Sequence, residues 1–265
     1  TPHLSTLPEE LSNAGWLVER AVEFVQLRDR DQPFFLWVSI QEPHPPFAIH
    51  EPFYSMYDSA DLPQPVRPEW SAGNETTPRT LSEKQATSKV GRMRPHVMEK
   101  TRSVYYGMIS HVDQQIGRLI GTLMVQGVWD NTLLVYTTDH GEMLGDHGMR
   151  AKSSFLDAAS RIPFIVRPPE TWREELDVVD SLGSTSDALV GLEDILPTFC
   201  DAAGARVPED VEGRSLLPLI GAGRRTADGP ERAHEPVRDF YHGHIDTNHM
   251  YRDADYKYLY FTDDG

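Results

Sequence analysis

Two short segments in which almost every residue is apolar constrain the fold of this chain more than any other feature. They are Phe34–Ile40 (FFLWVSI) and Thr132–Thr138 (TLLVYTT). Continuous apolar runs of this length are typical of strands covered on both faces, as in parallel sheets. A helix with apolar residues at helical spacing is predicted before each run, over Leu11–Leu27 and from Val104 to Leu123. The alternation predicts an α/β fold with a mixed, largely parallel sheet flanked by helices.

Four further segments complete the predicted order of elements. Ile162–Arg167 (IPFIVR) is predicted as a third strand, and a helix is predicted over roughly Asp187–Ala203. Residues 41–95 contain many prolines and little periodicity, which predicts a long irregular excursion of the kind that is often functional. Beyond a Gly- and Arg-rich segment at Gly221–Gly229, VRDFYHGHI and DYKYLYF predict short strands of a separate antiparallel unit.

The charge balance argues against a nucleic-acid partner. The chain has 25 basic and 41 acidic side chains, a net charge of −16, which repels phosphate backbones. An anionic substrate therefore needs a local positive charge such as a metal ion, although an acidic surface also simply aids solubility. The sequence contains no run of eighteen apolar residues, so it predicts no membrane-spanning helix. The only cysteine, Cys200, is interpreted as a core residue, and its presence fits periplasmic, extracellular and cytoplasmic locations alike.

Polar clusters directly follow the first two predicted strands. In α/β folds ligands bind beyond the carboxyl ends of the strands, so EPHPPF and DHGEMLGDHG lie where a site is expected. Asp139 and His140 offer a carboxylate oxygen and an imidazole nitrogen to one divalent cation, and Gly141 permits the backbone to turn there. Two ligands are too few for a complete site. A turn-capping Asp beside a surface His explains the same residues about equally well.

Four other residues are candidates for substrate contacts. Lys152 is close in sequence to Asp139 and can hold a developing oxyanion or protonate a leaving group, although a solvated lysine is the commoner case. His44 lies between two prolines that stiffen the backbone, which suits an anion contact. His242 and His244 in FYHGH can line a pocket mouth, on spacing alone. The other polar residues after the second strand are interpreted as structural: Glu142, Asp146 and His147.

The motifs together resemble those of the sulfatases of the alkaline phosphatase superfamily. TLLVYTTDHGEMLGDHGMRAKSSFLDAASRIPFIV is similar to the family segment that carries a metal-binding Asp and an active-site Lys. SIQEPHPPF resembles the sulfate-contacting His motif, and YYGMISHVDQQIGRLIGTL looks like the central helix. DILPTFCDAAG and DYKYLYF match later landmarks in the same order. The resemblance covers nearly the whole chain.

The resemblance implies roles for individual residues. Asp139 and His140 become metal ligands, with Ca²⁺ the usual ion and Mg²⁺ or Mn²⁺ found in some relatives. His44 and Lys152 become sulfate contacts, and either can assist departure of the alcohol. His242 remains, with its neighbour His244, a candidate for the pocket mouth.

The resemblance also implies a domain division. Residues 1–225 are expected to form part of the α/β catalytic domain, and residues 226–265 the beginning of a small C-terminal subdomain. The family's C-x-P-x-R motif, whose Cys or Ser becomes the formylglycine nucleophile, does not occur in this sequence. Two further metal-binding carboxylates of the family are also missing. We therefore expect this chain to be a carboxyl-terminal portion of a larger protein and to be inactive alone.

The implied activity is metal-assisted hydrolysis of a sulfate monoester, of a small molecule or a saccharide, in the intact protein. The formylglycine hydrate attacks sulfur and displaces the alcohol, and elimination from the covalent intermediate then releases sulfate and regenerates the aldehyde. Two alternatives remain open at this point. One is phosphonate monoester or phosphodiester hydrolysis on the same scaffold, and the other is a non-catalytic, sulfatase-like binding protein.

Overall fold

The computed structural model describes residues 2–73, 75, 77–88, 90–172, 183, 185–220, 237–246 and 248–262. Contacts group the chain into two units, Thr1–Trp129 with Met143–Ala151, and Asp130–Glu142 with Lys152–Gly265. The described residues form the mixed α/β fold that the sequence predicts. The Gly- and Arg-rich segment and the expected domain boundary after residue 225 lie outside the described residues.

Two helices form the framework of the first unit. Helix α1 spans Asn13–Leu27 and helix α3 spans Pro95–Val125, and they pack against each other. The Ser12 hydroxyl caps α1 by accepting a hydrogen bond from the Gly15 amide at 3.0 Å. Proline at the first position of α3 suits a helix start, because no intrahelical partner is lost there. The buried face of α1 consists of Ala14, Val18, Ala21 and Val25.

The core of the first unit lies between α3 and a pair of very short strands. Strand β1 (His3–Leu4) pairs in parallel with β2 (Ala48–Ile49). Phe47, Ile49 and Phe53 are buried against Val104 and Met108 of α3. None of the helices in the described part of the chain combines the length and the apolar character that a bilayer span requires.

The predicted strand at Phe34–Ile40 is absent, since the structure assigns these residues to no strand. Burial alternates along the segment, and Phe35 and Trp37 keep 66% and 65% of their surface exposed. A strand needs a neighbour that supplies hydrogen-bond partners. Among the described residues no strand pairs with this segment. An apolar run is therefore not enough by itself to form a strand.

The Pro-rich excursion is only partly irregular. It contains β2, helix α2 (Arg79–Ser88) and several single 3₁₀ turns. The described 3₁₀ helices of the whole chain are Glu9–Leu11, Ser59–Asp61, Glu69–Ser71, Val90–Arg92, Trp129–Asn131, Asp146–Gly148, Glu170–Trp172, Leu192–Asp194 and Leu217–Ile220.

The second unit contains the two central strands that the sequence predicts. Strand β3 (Leu134–Thr137) pairs antiparallel with β4 (Phe164–Arg167), with Leu134 opposite Arg167 and Thr137 opposite Phe164. The single helical turn α4 (Asp157–Ser160) lies between them in sequence. Helix α5 (Ile195–Ala202) begins eight residues later than the helix predicted from Asp187.

A three-stranded antiparallel sheet ends the chain. Strands β5 (Tyr241–Ile245) and β7 (Lys257–Phe261) occupy the two predicted segments. The sequence did not reveal β6 (Asn248–Arg252), which lies between them in the sheet. Alternate residues of all three strands are exposed, so one face is open to solvent.

A buried carboxylate organises the second unit around the start of α5. Asp194 is fully buried and accepts hydrogen bonds from the backbone amides of Gly191 at 2.8 Å and Arg214 at 2.9 Å. Its Oδ1 also lies 2.5 Å from Nη2 of Arg238. A charge removed from water in this way is tolerated only because its oxygens are paired. Asp194 therefore ties three separate segments together.

Replacing Asp194 with alanine is expected to lower the free energy of unfolding by about 3–5 kcal/mol, because the Gly191 and Arg214 amides lose their acceptor and Arg238 keeps only Glu193 as a carboxylate partner. The exposed pair Arg206–Glu209 gives a matched control. Glu209→Ala is expected to cost less than about 1 kcal/mol. Urea unfolding of both variants measures the difference, and equally small losses would contradict the assignment.

Tyr241 provides a pH-dependent contact within the same unit. Its hydroxyl donates a hydrogen bond to Oε2 of Glu193 at 3.1 Å. Burial, followed by the charge of Glu193, raises the pKa of Tyr241 to about 12 from an ordinary value of 10.0. The unfolded tyrosine loses its proton first as the pH rises. The stabilisation is thus complete below pH 10 and is lost as the pH approaches 12.

Rapid jumps to alkaline pH can measure the ionisation of Tyr241 in the folded protein. Phenolate absorbance is recorded after each jump, before the chain unfolds. The difference curve between the parent protein and Tyr241→Phe is expected to have its midpoint near pH 12. Tyr256→Phe removes a phenol that is 75% exposed and controls for the loss of one chromophore. A midpoint near pH 10 in the difference curve for Tyr241→Phe would contradict a partly buried tyrosine whose hydroxyl is hydrogen-bonded to Glu193.

Candidate active site

Asp139 and His140 lie in the loop that leaves β3. Oδ1 of Asp139 accepts hydrogen bonds from the His140 amide at 3.0 Å and from the Thr138 hydroxyl at 3.3 Å. Nδ1 of His140 lies 2.8 Å from the Gly141 carbonyl oxygen. A carbonyl only accepts, so Nδ1 carries the proton and the lone pair is on Nε2. Nε2 of His140 and Oδ2 of Asp139 are 3.4 Å apart.

This geometry fits a divalent cation. Neighbouring ligands around an ion with bonds of roughly 2.0–2.4 Å are about 3.3 Å apart. The observed separation of 3.4 Å matches that spacing, and the Asp139 side chain is 78% exposed. The hydrogen bond from His140 to a backbone carbonyl fixes the imidazole tautomer, as is usual for metal-binding histidines. The pair can therefore supply two ligands of a metal site.

Gly141 holds this loop against α4. Its amide donates to the Ala159 carbonyl at 2.8 Å, and a Cβ atom at position 141 would lie 2.0 Å from the Ala158 carbonyl oxygen. Its φ is not in the left-handed region. Glycine is required by the close approach of α4 and not by a turn, which corrects the reason inferred from the sequence.

His44 is an exposed residue of the first unit whose ring is also held by the backbone. Its amide donates to the Gln41 carbonyl at 3.0 Å, and its Nδ1 lies 2.8 Å from the Pro45 carbonyl oxygen. The same reasoning assigns a proton to Nδ1 and leaves Nε2 for a substrate. Two hydrogen bonds to backbone carbonyls thus orient His44, and its contact with an anion stays a prediction.

Lys152 is exposed and lies at the start of a segment of the second unit. Its two neighbours, Ala151 and Ser153, have φ values of 65° and 72°. Residues other than glycine rarely adopt this conformation, and such backbone strain is concentrated at functional sites. Among the described residues, the ammonium group of Lys152 has no ion-pair partner, so its charge is available.

His242 and His244 project from β5 onto the exposed face of the three-stranded sheet. The His244 ring lies 4.6 Å from that of His249 on β6, and His242 is opposite Tyr251. Tyr258 and Tyr260 of β7 are on the same face. The two histidines thus belong to an aromatic surface that the sequence did not reveal.

The structure places the sequence-predicted residues in both units. Asp139, His140 and Lys152 are in the second unit with His242 and His244, and His44 is in the first. Sequence reasoning missed Thr138, whose hydroxyl orients Asp139; its only signal was its position beside that residue.

Two of the loop residues interpreted as structural have structural contacts. Oδ1 of Asp146 accepts a hydrogen bond from the Val66 amide at 2.9 Å, and Nδ1 of His147 lies 2.9 Å from the Ser71 hydroxyl. These contacts hold the Asp146–Gly148 turn within the first unit.

Adding one methyl group at Gly141 is expected to displace the Asp139–His140 loop. Gly141→Ala should destabilise the protein by about 1–3 kcal/mol, the usual cost of overpacking. Gly117→Ala is the control, because nothing lies within 4 Å of its Cβ position on α3. That change should stabilise by up to about 1 kcal/mol through helix propensity. Thermal unfolding measures the stability of both variants. A Gly141→Ala variant as stable as the parent protein would contradict the close approach of α4 to position 141.

Comparison with known proteins agrees with these features. A family model described as Sulfatase matches residues 15–205. An arylsulfatase of Clostridium perfringens is 31% identical over 261 residues, which cover 97% of this chain and 50% of that protein. An N-acetylglucosamine-6-O-sulfatase of Bacteroides thetaiotaomicron is 35% identical over 162 residues, 60% of this chain and 28% of that protein. The chain spans about half the length, or less, of these curated relatives.

A solved structure shares the fold over almost the whole chain. The phosphonate monoester hydrolase of Agrobacterium radiobacter superposes with a TM-score of 0.82 at 26% identity. The match covers 99% of this chain and 56% of that chain. The family model, the relatives and the shared fold all point to one family. The chain belongs to the sulfatase family, in the alkaline phosphatase superfamily.

Proposed function

We propose that the protein containing this chain hydrolyses sulfate monoesters with the help of a divalent metal ion. The observation that carries the proposal is the pairing of Asp139 Oδ2 with His140 Nε2, 3.4 Å apart at the exit of β3, in a member of the sulfatase family. In this proposal residues 1–225 contribute to the catalytic domain and residues 226–265 begin the small subdomain. The formylglycine nucleophile comes from outside this segment.

Asp139 and His140 are proposed to hold the metal. Proteins of this family generally bind a divalent metal, and a cation at this position would stabilise negative charge on the sulfuryl oxygens. We propose Ca²⁺ as the ion, with Mg²⁺ or Mn²⁺ as alternatives. The imidazole ligand is the reason to keep Mn²⁺ among the alternatives, because Mn²⁺ accepts nitrogen ligands more readily than Ca²⁺ and Mg²⁺ do.

His44 and Lys152 are proposed to contact the sulfate and to assist the leaving alcohol. The exposed ammonium group of Lys152 can pair with a sulfate oxygen without first breaking an ion pair among the described residues. His44 is held through Nδ1, so its Nε2 can carry and release a proton at the ester oxygen. A net charge of −16 makes such local positive groups necessary for an anionic substrate.

The proposed substrate is a sulfate ester of a small molecule or a saccharide. The relative from Bacteroides thetaiotaomicron carries a name that specifies a sulfated sugar, N-acetylglucosamine 6-O-sulfate. The exposed face of the terminal sheet carries His242 and His244 beside three tyrosines. Aromatic and imidazole rings present flat faces to a sugar ring, so these histidines are proposed to lie at the pocket mouth.

Phosphonate monoester or phosphodiester hydrolysis is the alternative function. A specific observation favours it, because the superposed structure from Agrobacterium radiobacter is a phosphonate monoester hydrolase. The same metal and cationic side chains can stabilise a phosphoryl group as well as a sulfuryl group.

Single substitutions in the intact protein test the roles of these residues. Lys152→Ala is expected to lower kcat/KM for 4-nitrophenyl sulfate by about 10²–10³-fold, and His44→Ala by about 10²–10⁴-fold. Asp139→Asn should also lower the bound metal measured by elemental analysis. His96→Ala, which removes an exposed histidine of α3, is the matched control and should leave activity unchanged. Full activity in Lys152→Ala and His44→Ala would exclude the proposed site.

The substrate class is tested by comparing kcat/KM for 4-nitrophenyl sulfate and for a 4-nitrophenyl phenylphosphonate. A higher value for the sulfate ester is expected. A thousandfold preference for the phosphorus ester would replace the proposal with the alternative. Hydrolysis of neither ester by a metal-loaded, folded protein would instead indicate a binding protein.

A further inference from the structure

Three potential metal ligands meet in the first unit, on segments that the proposed sulfatase site does not use. Glu9 lies in the 3₁₀ helix before α1, His50 directly follows β2, and His111 lies on α3. One ligand atom from each lies within 4.8 Å of the other two. The imidazole rings of His50 and His111 are 4.9 Å apart. Three segments that are distant in sequence thus converge on one point.

The hydrogen bond of His111 to Glu42 places the lone pair of the ring on Nε2. The ring is fully buried, and Nδ1 lies 2.9 Å from Oε2 of Glu42. A carboxylate accepts, so Nδ1 carries the proton and Nε2 has the lone pair. The side-chain amide of Gln115 donates to this lone pair at 3.3 Å and would have to turn aside for a metal ion to bind there. A histidine oriented by a carboxylate behind it is the usual arrangement around a bound metal.

His50 presents a buried nitrogen that lacks a hydrogen-bond partner among the described residues. Its side chain is 12% exposed, and its Nε2 lies 3.8 Å from Oε2 of Glu9, too far for a hydrogen bond. Leaving such a buried atom unpaired destabilises the folded state. A metal ion at this point would give the nitrogen a partner.

The electrostatic surroundings favour a cation. The carboxylates of Glu9, Glu10 and Glu42 all act on His50. Oε1 of Glu9 is held by Gln115, at 2.6 Å, and by Gln114, at 3.1 Å, which orients the carboxylate and leaves Oε2 toward His50. The nearby cation, Arg118, is engaged by the Gln115 oxygen at 2.7 Å and by Glu19.

We propose that Glu9, His50 and His111 bind one Zn²⁺ ion, separate from the metal proposed at Asp139 and His140. Two imidazole nitrogens and one carboxylate oxygen suit Zn²⁺, whereas Ca²⁺ takes six to eight oxygens. Tetrahedral Zn²⁺ requires its ligand atoms about 3.3 Å apart, so ligand atoms that now lie within 4.8 Å of one another need to approach by up to about 1.5 Å. The ion links the segment before α1 to β2 and α3, and so stabilises the amino-terminal part of this unit.

Metal titration of the intact protein tests this site. The Asp139→Asn/His140→Asn variant removes the other metal site and serves as the parent. Stripped of metal, it is expected to bind one Co²⁺ per chain with the intense visible bands of a four-coordinate ion, and Zn²⁺ should displace it. Zn²⁺ should also raise the Tm of this parent.

Glu9→Gln and His50→Gln, each added to that parent, are expected to abolish the bands and the rise in Tm. The added control His96→Gln, at an exposed position of α3, should preserve both. Circular dichroism verifies that each variant folds, and two independent ligand variants guard against misfolding of one. Failure of the parent to bind Co²⁺ or Zn²⁺, or unchanged binding in both folded variants, would overturn the zinc proposal without affecting the proposed hydrolase.

Discussion

The close approach of α3 to the chain around Phe53 is the constraint on which the first unit depends. At Gly107 a side chain would place Cβ 2.0 Å from the Phe53 carbonyl oxygen, so only glycine allows this packing. Val104 and Met108 flank that contact and are buried. One turn further along α3, the His111 ring lies 5.1 Å from Phe53. The contact that forms the core therefore also positions His111.

The sequence predicted the elements whose signal is contained within one segment. Helices α1 and α3 repeat apolar residues every three or four positions, and β3 and β4 are short apolar runs between turn residues. Which strands pair with each other cannot be predicted from signals within one segment. Phe34–Ile40 has the composition of a strand and lies in none, and β6 was missed because its buried positions include a polar residue, Asn248. A strand depends on its neighbour, which a single segment does not specify.

The candidate site was predictable to the extent that it is local. Asp139 and His140 are adjacent at the end of a strand, and that position alone selected them. The tautomer of His140 and the reason for Gly141 depend on contacts with the Gly141 carbonyl and with α4, which a motif does not contain. Glu9, His50 and His111 had no signal in the sequence at all. They are far apart along the chain, and each is unremarkable within its own segment.

The backbone around Lys152 has a consequence for changes to this loop. Ala151 and Ser153 are held at positive φ, at a cost of about 1–2 kcal/mol for each residue. Glycine at either position would relieve that cost, and would equally release the main chain that aims the lysine. Selection of variants for heat resistance alone would thus favour glycine at these two positions. Such variants would gain stability and lose the fixed orientation of the lysine side chain.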